Sequence, residues 1–248
     1  MRCFILVLCL AVTVFTTSYA YEEGGYAGTI GKGDVDCIWS FLQHFPREQG
    51  EQFVYAENYQ FTSRNNEFVD NHDIAMFSGH GQAFEIKVWQ DYPTSGDTWV
   101  DLASAGSGAD YGFGDHDLEY LVFQSCYTVP SHLETSDPVG PWVKDRGHVA
   151  DGLHQILGFR TQATMAYDQD ITYWFGYWIS QTDSTGQGKY YIIDSWLWAV
   201  REKGDPLHEE YDKASIIFHK DSFYDCYRRK GQDDPHYAST DYYNIFMY

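Results

Sequence analysis

The sequence predicts an α/β domain in three layers, a mostly parallel sheet with helices on both faces. Three observations predict it. Short apolar runs alternate with amphipathic stretches of helical period. Two of the runs, DIAMF and YLVFQ, are apolar almost throughout, as strands covered on both faces are. Loops rich in Gly and Asp separate the segments, with no internal repeat and no linker long enough to divide the chain.

The first twenty residues, MRCFILVLCLAVTVFTTSYA, carry a basic start at Arg2, an apolar run from Cys3 to Phe15 and a Ser18-Tyr19-Ala20 cleavage pattern. The run falls short of the ~18–20 residues that cross a bilayer, so it reads as a secretory signal peptide. Residues 21–248 are then a single exported, extracellular domain with no membrane association after cleavage. After the Gly-rich EEGGYAGTIGKGD, CIWSFLQHF spaces its apolar residues as a helix does. DIAMF follows as a strand, then YLVFQ as a second. DGLHQILGF has helical spacing, and RTQATMAY and ASIIFHK read as strands. YIIDSWLWAVREKG is the strongest helix: Ile192, Ile193, Trp196, Leu197 and Val200 share one side, and Gly204 stops it. The tail GQDDPHYASTDYYNIFMY is polar, then aromatic, and is expected to lie against the surface.

Charge limits the partners. Lys and Arg total 16 against 36 Asp and Glu, a net charge of −20, which becomes −21 when Arg2 leaves with the leader. Nucleic acid and anionic membranes need a basic patch, and YRRKG at 227–231 is too small to supply one. Of five cysteines, Cys37, Cys126 and Cys226 outlast the leader. An odd number in an oxidising compartment leaves one over. Three pairings are open; the economical one is Cys37–Cys226, leaving Cys126 as a thiol.

The chemistry gathers at two strand ends. DIAMF runs into Ser78-Gly79-His80-Gly81, and YLVFQ runs into Ser125-Cys126. In open α/β sheets ligands bind just outside the carboxyl ends of the strands. Neighbouring strands would bring an imidazole and a thiol to one rim, with Cys126 as nucleophile and His80 as proton carrier. Gly79 and Gly81 permit a tight turn, and the Gly81 N–H, with that of Cys126, would serve as an oxyanion hole.

An apolar strand ending in SGHG, followed by an apolar strand ending in QSC, resembles the His-Gly and Gln-Ser-Cys signatures of the caspase-like cysteine peptidases, the clan of caspases, legumains, gingipains and clostripains. ENYQFTSRNNEFVDNHDIAMFSGHG and DGLHQILGFRTQA further resemble a mainly bacterial family of caspase-like domains without a settled function. The resemblance implies a caspase-like α/β fold with His80 as general acid/base, Cys126 as nucleophile and an oxyanion hole near Gly81. Tyr127-Thr128-Val129-Pro130 departs from the residues that follow the cysteine in caspases and legumains, so the substrate cleft need not match either.

The function expected is therefore a secreted cysteine hydrolase, a peptidase acting on a peptide or protein, with transpeptidation or cyclisation where an amine replaces water. The alternative is a secreted binding or structural protein on the same scaffold. Arg160, Asp168 and Asp170 follow the cysteine strand, where pocket walls arise, but solvated loop charges explain them better. No cofactor is required. Asp110, Asp115, His116 and Asp117, with His72 and Asp73 nearby, are the residues that would hold a structural Ca²⁺ if one is present. HExxH and CxxC spacings are absent. The aromatics of TYWFGYW and DSWLWAV would stack sugars if exposed, but their helical spacing points to core or a helix–helix contact. The chain has no Asn-x-Ser/Thr sequon. The oligomeric state is not legible.

Overall fold

The computed structural model describes residues 21–28, 32–46, 52–90, 96–102, 112–143, 150, 152–229 and 241–248. The signal peptide and Asp110 lie outside the described residues.

Seven strands form one sheet: β1 (Glu23–Ala27), β2 (Gln52–Tyr55), β3 (Ile74–Ser78), β7 (Tyr120–Gln124), β8 (Gln155–Phe159), β9 (Ala214–His219) and β10 (Tyr242–Phe246). Their spatial order is β2-β1-β3-β7-β8-β9-β10. The pairings from β2 across to β8 are parallel; β9 and β10 close the far side antiparallel. The mostly parallel α/β class is as the sequence predicts. β3 and β7 are buried at all five positions, which explains why their sequences are apolar on both faces.

One face of the sheet carries helices. α1 (Lys32–Leu42) buries Ile38, Phe41 and Leu42; α3 (Asp168–Ser180) buries Ile171, Phe175 and Ile179; α4 (Ile192–Lys203) buries Ile193, Trp196 and Val200. Spacings of three and four put each set on one stripe. With Met76, Val122, Leu157 and Ile216 from the sheet they make one core. The other face is covered by the one-turn helix α2 (Gly140–Val143), several 3₁₀ turns and a small antiparallel sheet of β4 (Gly81–Gln82), β5 (Glu85–Gln90) and β6 (Gly96–Asp101). Phe61, Phe77, Phe123 and Trp142 pack within this second core.

Two segments fold differently from their sequence reading. DGLHQILGF is not a helix; its second half is β8, inserted between β7 and β9. A run that short has no period of its own to separate strand from helix, and its place between two strands decides it. RTQATMAY is a connection rather than a strand. β1 hides in a Gly-rich stretch for a steric reason. A Cβ on Gly25 would lie 2.3 Å from Ile38 Cγ2, so the missing side chain is what lets α1 pack onto the sheet. The aromatic tail does lie on the body, as the edge strand β10.

The bridge expected between Cys37 and Cys226 is not formed. Both are free thiols, as is Cys126. Cys37 is hydrogen-bonded to Ser78, at the carboxyl end of β3. Cys226 precedes Tyr227 and Arg228, whose side chains reach Glu23 at the amino end of β1. Opposite ends of five-residue strands are roughly 13 Å apart. A disulfide needs Cα atoms within about 7 Å.

Candidate active site

β3 and β7 are neighbours, and their register pairs Ser78 with Gln124. His80 and Cys126 each stand two residues beyond that pair, so adjacent strands deliver them to the same rim. The Gly79 N–H donates to the Gln124 carbonyl at 3.2 Å, holding the two exits together. The small sheet anchors the His80 turn from the other side, because Lys87 N–H donates to the His80 carbonyl at 2.9 Å. In an antiparallel ladder that bond makes the next pair, Gly81 with Ile86, a non-hydrogen-bonded one. The Gly81 N–H consequently points away from β5. The position tolerates only glycine: a Cβ would come within 2.2 Å of Thr128 Oγ1 and 2.7 Å of the Cys126 carbonyl. The two loops are therefore in backbone contact.

The turn after β7 is braced locally. Ser125 and Thr128 hydroxyls meet at 2.5 Å, and Thr128 also donates to the Cys126 carbonyl at 3.3 Å. Tyr127 sits in the left-handed region, φ 56°, a costly conformation for a non-glycine residue. That reversal lets the Tyr127 N–H reach the Thr161 carbonyl at 2.9 Å and leaves Cys126 at the tip.

His80 is exposed and Cys126 half-buried. The sulfur accepts the Ala163 N–H at 3.3 Å, and among the described residues no hydrogen bond joins it to the His80 ring. Burial pushes the Cys126 thiol upward in pKa, and the carboxylates of Asp168 and Asp212 push it further; the Ala163 N–H acts in the opposite direction. At neutral pH the group is a thiol, not a preformed thiolate. Catalytic hydrogen bonds are often long before substrate binds, so an attacking sulfur would lose its proton to His80 during the reaction.

Asp168 opens α3 beneath this rim. Gln124, the residue before Ser125-Cys126, donates Nε2–H to Asp168 Oδ1 at 2.7 Å. Burial, then the Asp212 carboxylate, raise Asp168 to about 7. Asp212 is itself held by the N–H groups of Thr164 at 2.8 Å and Asp205 at 2.7 Å. The sequence offers Asp168 as a pocket wall or a solvated loop charge, whereas the structure buries it under the rim. No sequence signal pointed to Asp212, which a distant loop brings in. Arg160 is not a pocket wall: it bonds Glu134 and the Met247 carbonyl, both at 2.6 Å. Asp170 faces a separate cleft of about 370 Å³ with Arg201, Lys203 and Lys213, which neither His80 nor Cys126 lines.

The described residues among those named for Ca²⁺ do not converge. Asp115, His116 and Asp117 are exposed, and His72 is buried beside Tyr26. Asp70 is occupied by the N–H groups of Gly114 at 2.5 Å and His116 at 3.2 Å. Among the described residues no group of three or more His, Cys, Asp or Glu is placed to hold a metal ion. No helix there is long and apolar enough to cross a membrane.

Residues 49–248 match the family described as a domain of unknown function, DUF6345, and the chain belongs to that family. No curated protein matches it. Among solved structures it is similar to a secreted C11 cysteine protease from Bacteroides thetaiotaomicron, in complex with an irreversible peptide inhibitor, at 12% identity and a TM-score of 0.42. The match covers 80% of this chain and 66% of that one, so the chain spans just under two thirds of that structure. A score of that size leaves the functional reading to the chain's own geometry.

Proposed function

We propose that this member of the DUF6345 family is an exported cysteine hydrolase with a caspase-like dyad, cleaving peptide bonds with Cys126 and His80. The observation that carries it is the register: β3 and β7 pair in parallel through Ser78 and Gln124, and each presents its reactive residue two positions later. The Cys126 sulfur attacks the carbonyl carbon while the thiol proton passes to His80. The Gly81 N–H stabilises the resulting oxyanion. Collapse breaks the C–N bond, and His80 returns the proton to the departing amine. Water then adds to the acyl-enzyme, the C–S bond breaks and the thiol is restored. An amine in place of water gives a transpeptidase or cyclase. The acidic balance of the chain, net −20, favours substrates with a cationic side chain near the cut.

The test is covalent labelling of the secreted protein with a peptidyl acyloxymethyl ketone. Labelling is expected at Cys126 and is expected to vanish in Cys126→Ala. Labelling that survives this substitution refutes the reading.

One observation favours a second reading, a non-catalytic binding protein on the same scaffold. The sulfur is bonded to Ala163 rather than His80, among groups that keep it protonated. That reading predicts no hydrolysis of any peptide, and His80→Ala without consequence.

A further inference from the structure

On the outer side of the helical layer, α3 and α4 leave a cleft of about 410 Å³ lined by Trp174, Trp178, Trp198, Ala199, Glu202 and Lys203. The inward stripe of the same helices is already filled by Ile171, Phe175, Ile179, Ile193 and Trp196. The aromatic pattern in the sequence therefore divides in two: Phe175 and Trp196 are core, whereas Trp198 is 42% exposed and the other two indoles are half-buried.

The rings are held by one another. Trp174 and Trp178 stand one turn apart with centroids 5.9 Å apart. Trp198 meets Trp178 edge-on at 6.3 Å, and Tyr190 braces both at 5.2 and 6.1 Å. Polar groups sit at the margin. Lys203 Nζ lies 4.8 Å over the Trp174 ring, and Glu202 is exposed beside it. With one positive and one negative group the cleft favours neither a free anion nor a free cation. An external ammonium would also have to displace Lys203 from the ring it covers. What remains is an aromatic surface edged by one donor and one acceptor, in a volume within the usual range for a small-ligand site. A pyranose matches it: axial C–H bonds give the ring an apolar face, and equatorial hydroxyls give it a polar rim.

The geometry points to a carbohydrate-binding site in the α3–α4 cleft, taking equatorially substituted pyranose chains. Sugar rings stack on Trp178 and Trp198, and their hydroxyls bond Glu202 and Lys203. The cleft shares no residue with the His80–Cys126 rim, so the inference stands apart from the hydrolase reading.

The experiment titrates the secreted full chain with cellohexaose and with chitohexaose, following tryptophan fluorescence and heat. Saturable binding of either at millimolar concentration or below is expected. Trp198→Ala should weaken it by about tenfold, as loss of one stacking ring does. Glu202→Gln, at an exposed position that does not threaten folding, should weaken it severalfold, and Cys126→Ala should leave it unchanged. The inference is overturned if neither saccharide binds, if both cleft variants bind like the parent, or if tetramethylammonium binds more tightly than either saccharide.

Discussion

The two ends of the sheet put their polar groups to different uses. At the amino end, several buried charges are matched, although Asp73 at the foot of β3 is raised to about 8 by burial and by Glu119, Asp117 and Glu23. Glu23, fully buried, accepts from the Tyr227 hydroxyl at 2.8 Å and from Arg228 at 3.1 Å. His154 and Asp225 meet at 2.6 Å, both nearly out of reach of water. These contacts bind the 225–228 segment to the strands. At the carboxyl end, His80 is exposed, Tyr127 is held in a left-handed turn, and Asp168 and Asp212 face each other's charge beside the Cys126 thiol. One rim spends its polar groups on holding the chain together. The other leaves an imidazole and a thiol uncommitted to each other; left-handed backbone occurs at both rims, at Tyr127 (φ 56°) and at Arg228 (φ 64°). Reactive groups left uncommitted are what a site looks like, whereas a satisfied buried pair is what a clamp looks like.

Substitutions at the two rims should therefore separate activity from stability. Cys126→Ala should abolish peptide hydrolysis with the melting temperature essentially unchanged; residual turnover would place the nucleophile elsewhere. His80→Ala should lower kcat by ~10²–10⁴, the range for loss of a general acid/base, with little effect on KM. Arg228→Ala should reverse that signature. It removes the guanidinium that faces the buried Glu23 carboxylate, and removing one partner of a buried pair costs ~3–5 kcal/mol, read as a lower urea midpoint with normal specific activity of the folded fraction. An unchanged midpoint would break the contrast between the rims.

Smaller effects sharpen it. Burial raises Asp70 to about 9, Asp73 to about 8 and Asp168 to about 7, all above the ordinary 3.8 of an aspartate. Between the unfolded and folded values the native state binds more protons, so its stability falls as pH rises. The melting temperature should decline from about pH 6.5 to pH 9, the Asp168 share being lost by about pH 7; below pH 6.5 His44, His72 and His219, lowered by burial, act in the opposite direction. A flat or rising profile across that window contradicts the assignment. Smallest of all, Asp168→Asn should speed iodoacetamide alkylation of Cys126 severalfold at fixed pH. It removes a charge that, after burial, holds the thiol's pKa up. Slower alkylation would show that Asp168 helps the thiol rather than restraining it.

Much of this was legible in the chain. β3 and β7 announce themselves because a strand buried on both faces must be apolar at every position, and α4 because its inward stripe repeats at three and four. His80 and Cys126 were legible because each directly follows such a strand. β1 was not, since Gly24 and Gly25 lack the side chains by which a strand is recognised, for the very reason that His72 and α1 occupy that space. β8 was misread because five residues fit either period. The expected Cys37–Cys226 bridge failed because counting cysteines carries no distance.

The sequence by itself determined the class of fold, the acidic surface and the two strand-end motifs, because each is written in local pattern or in composition. Tertiary structure alone decided that β3 and β7 are neighbours in register, that the fields of Asp168 and Asp212 reach the Cys126 thiol, and that three tryptophans face outward while Trp196 faces in. The physical reason is the same in each case. Strand pairing, the field at a buried thiol and the side of a helix that meets water depend on residues far apart in the chain, and only the folded molecule sets the distances between them.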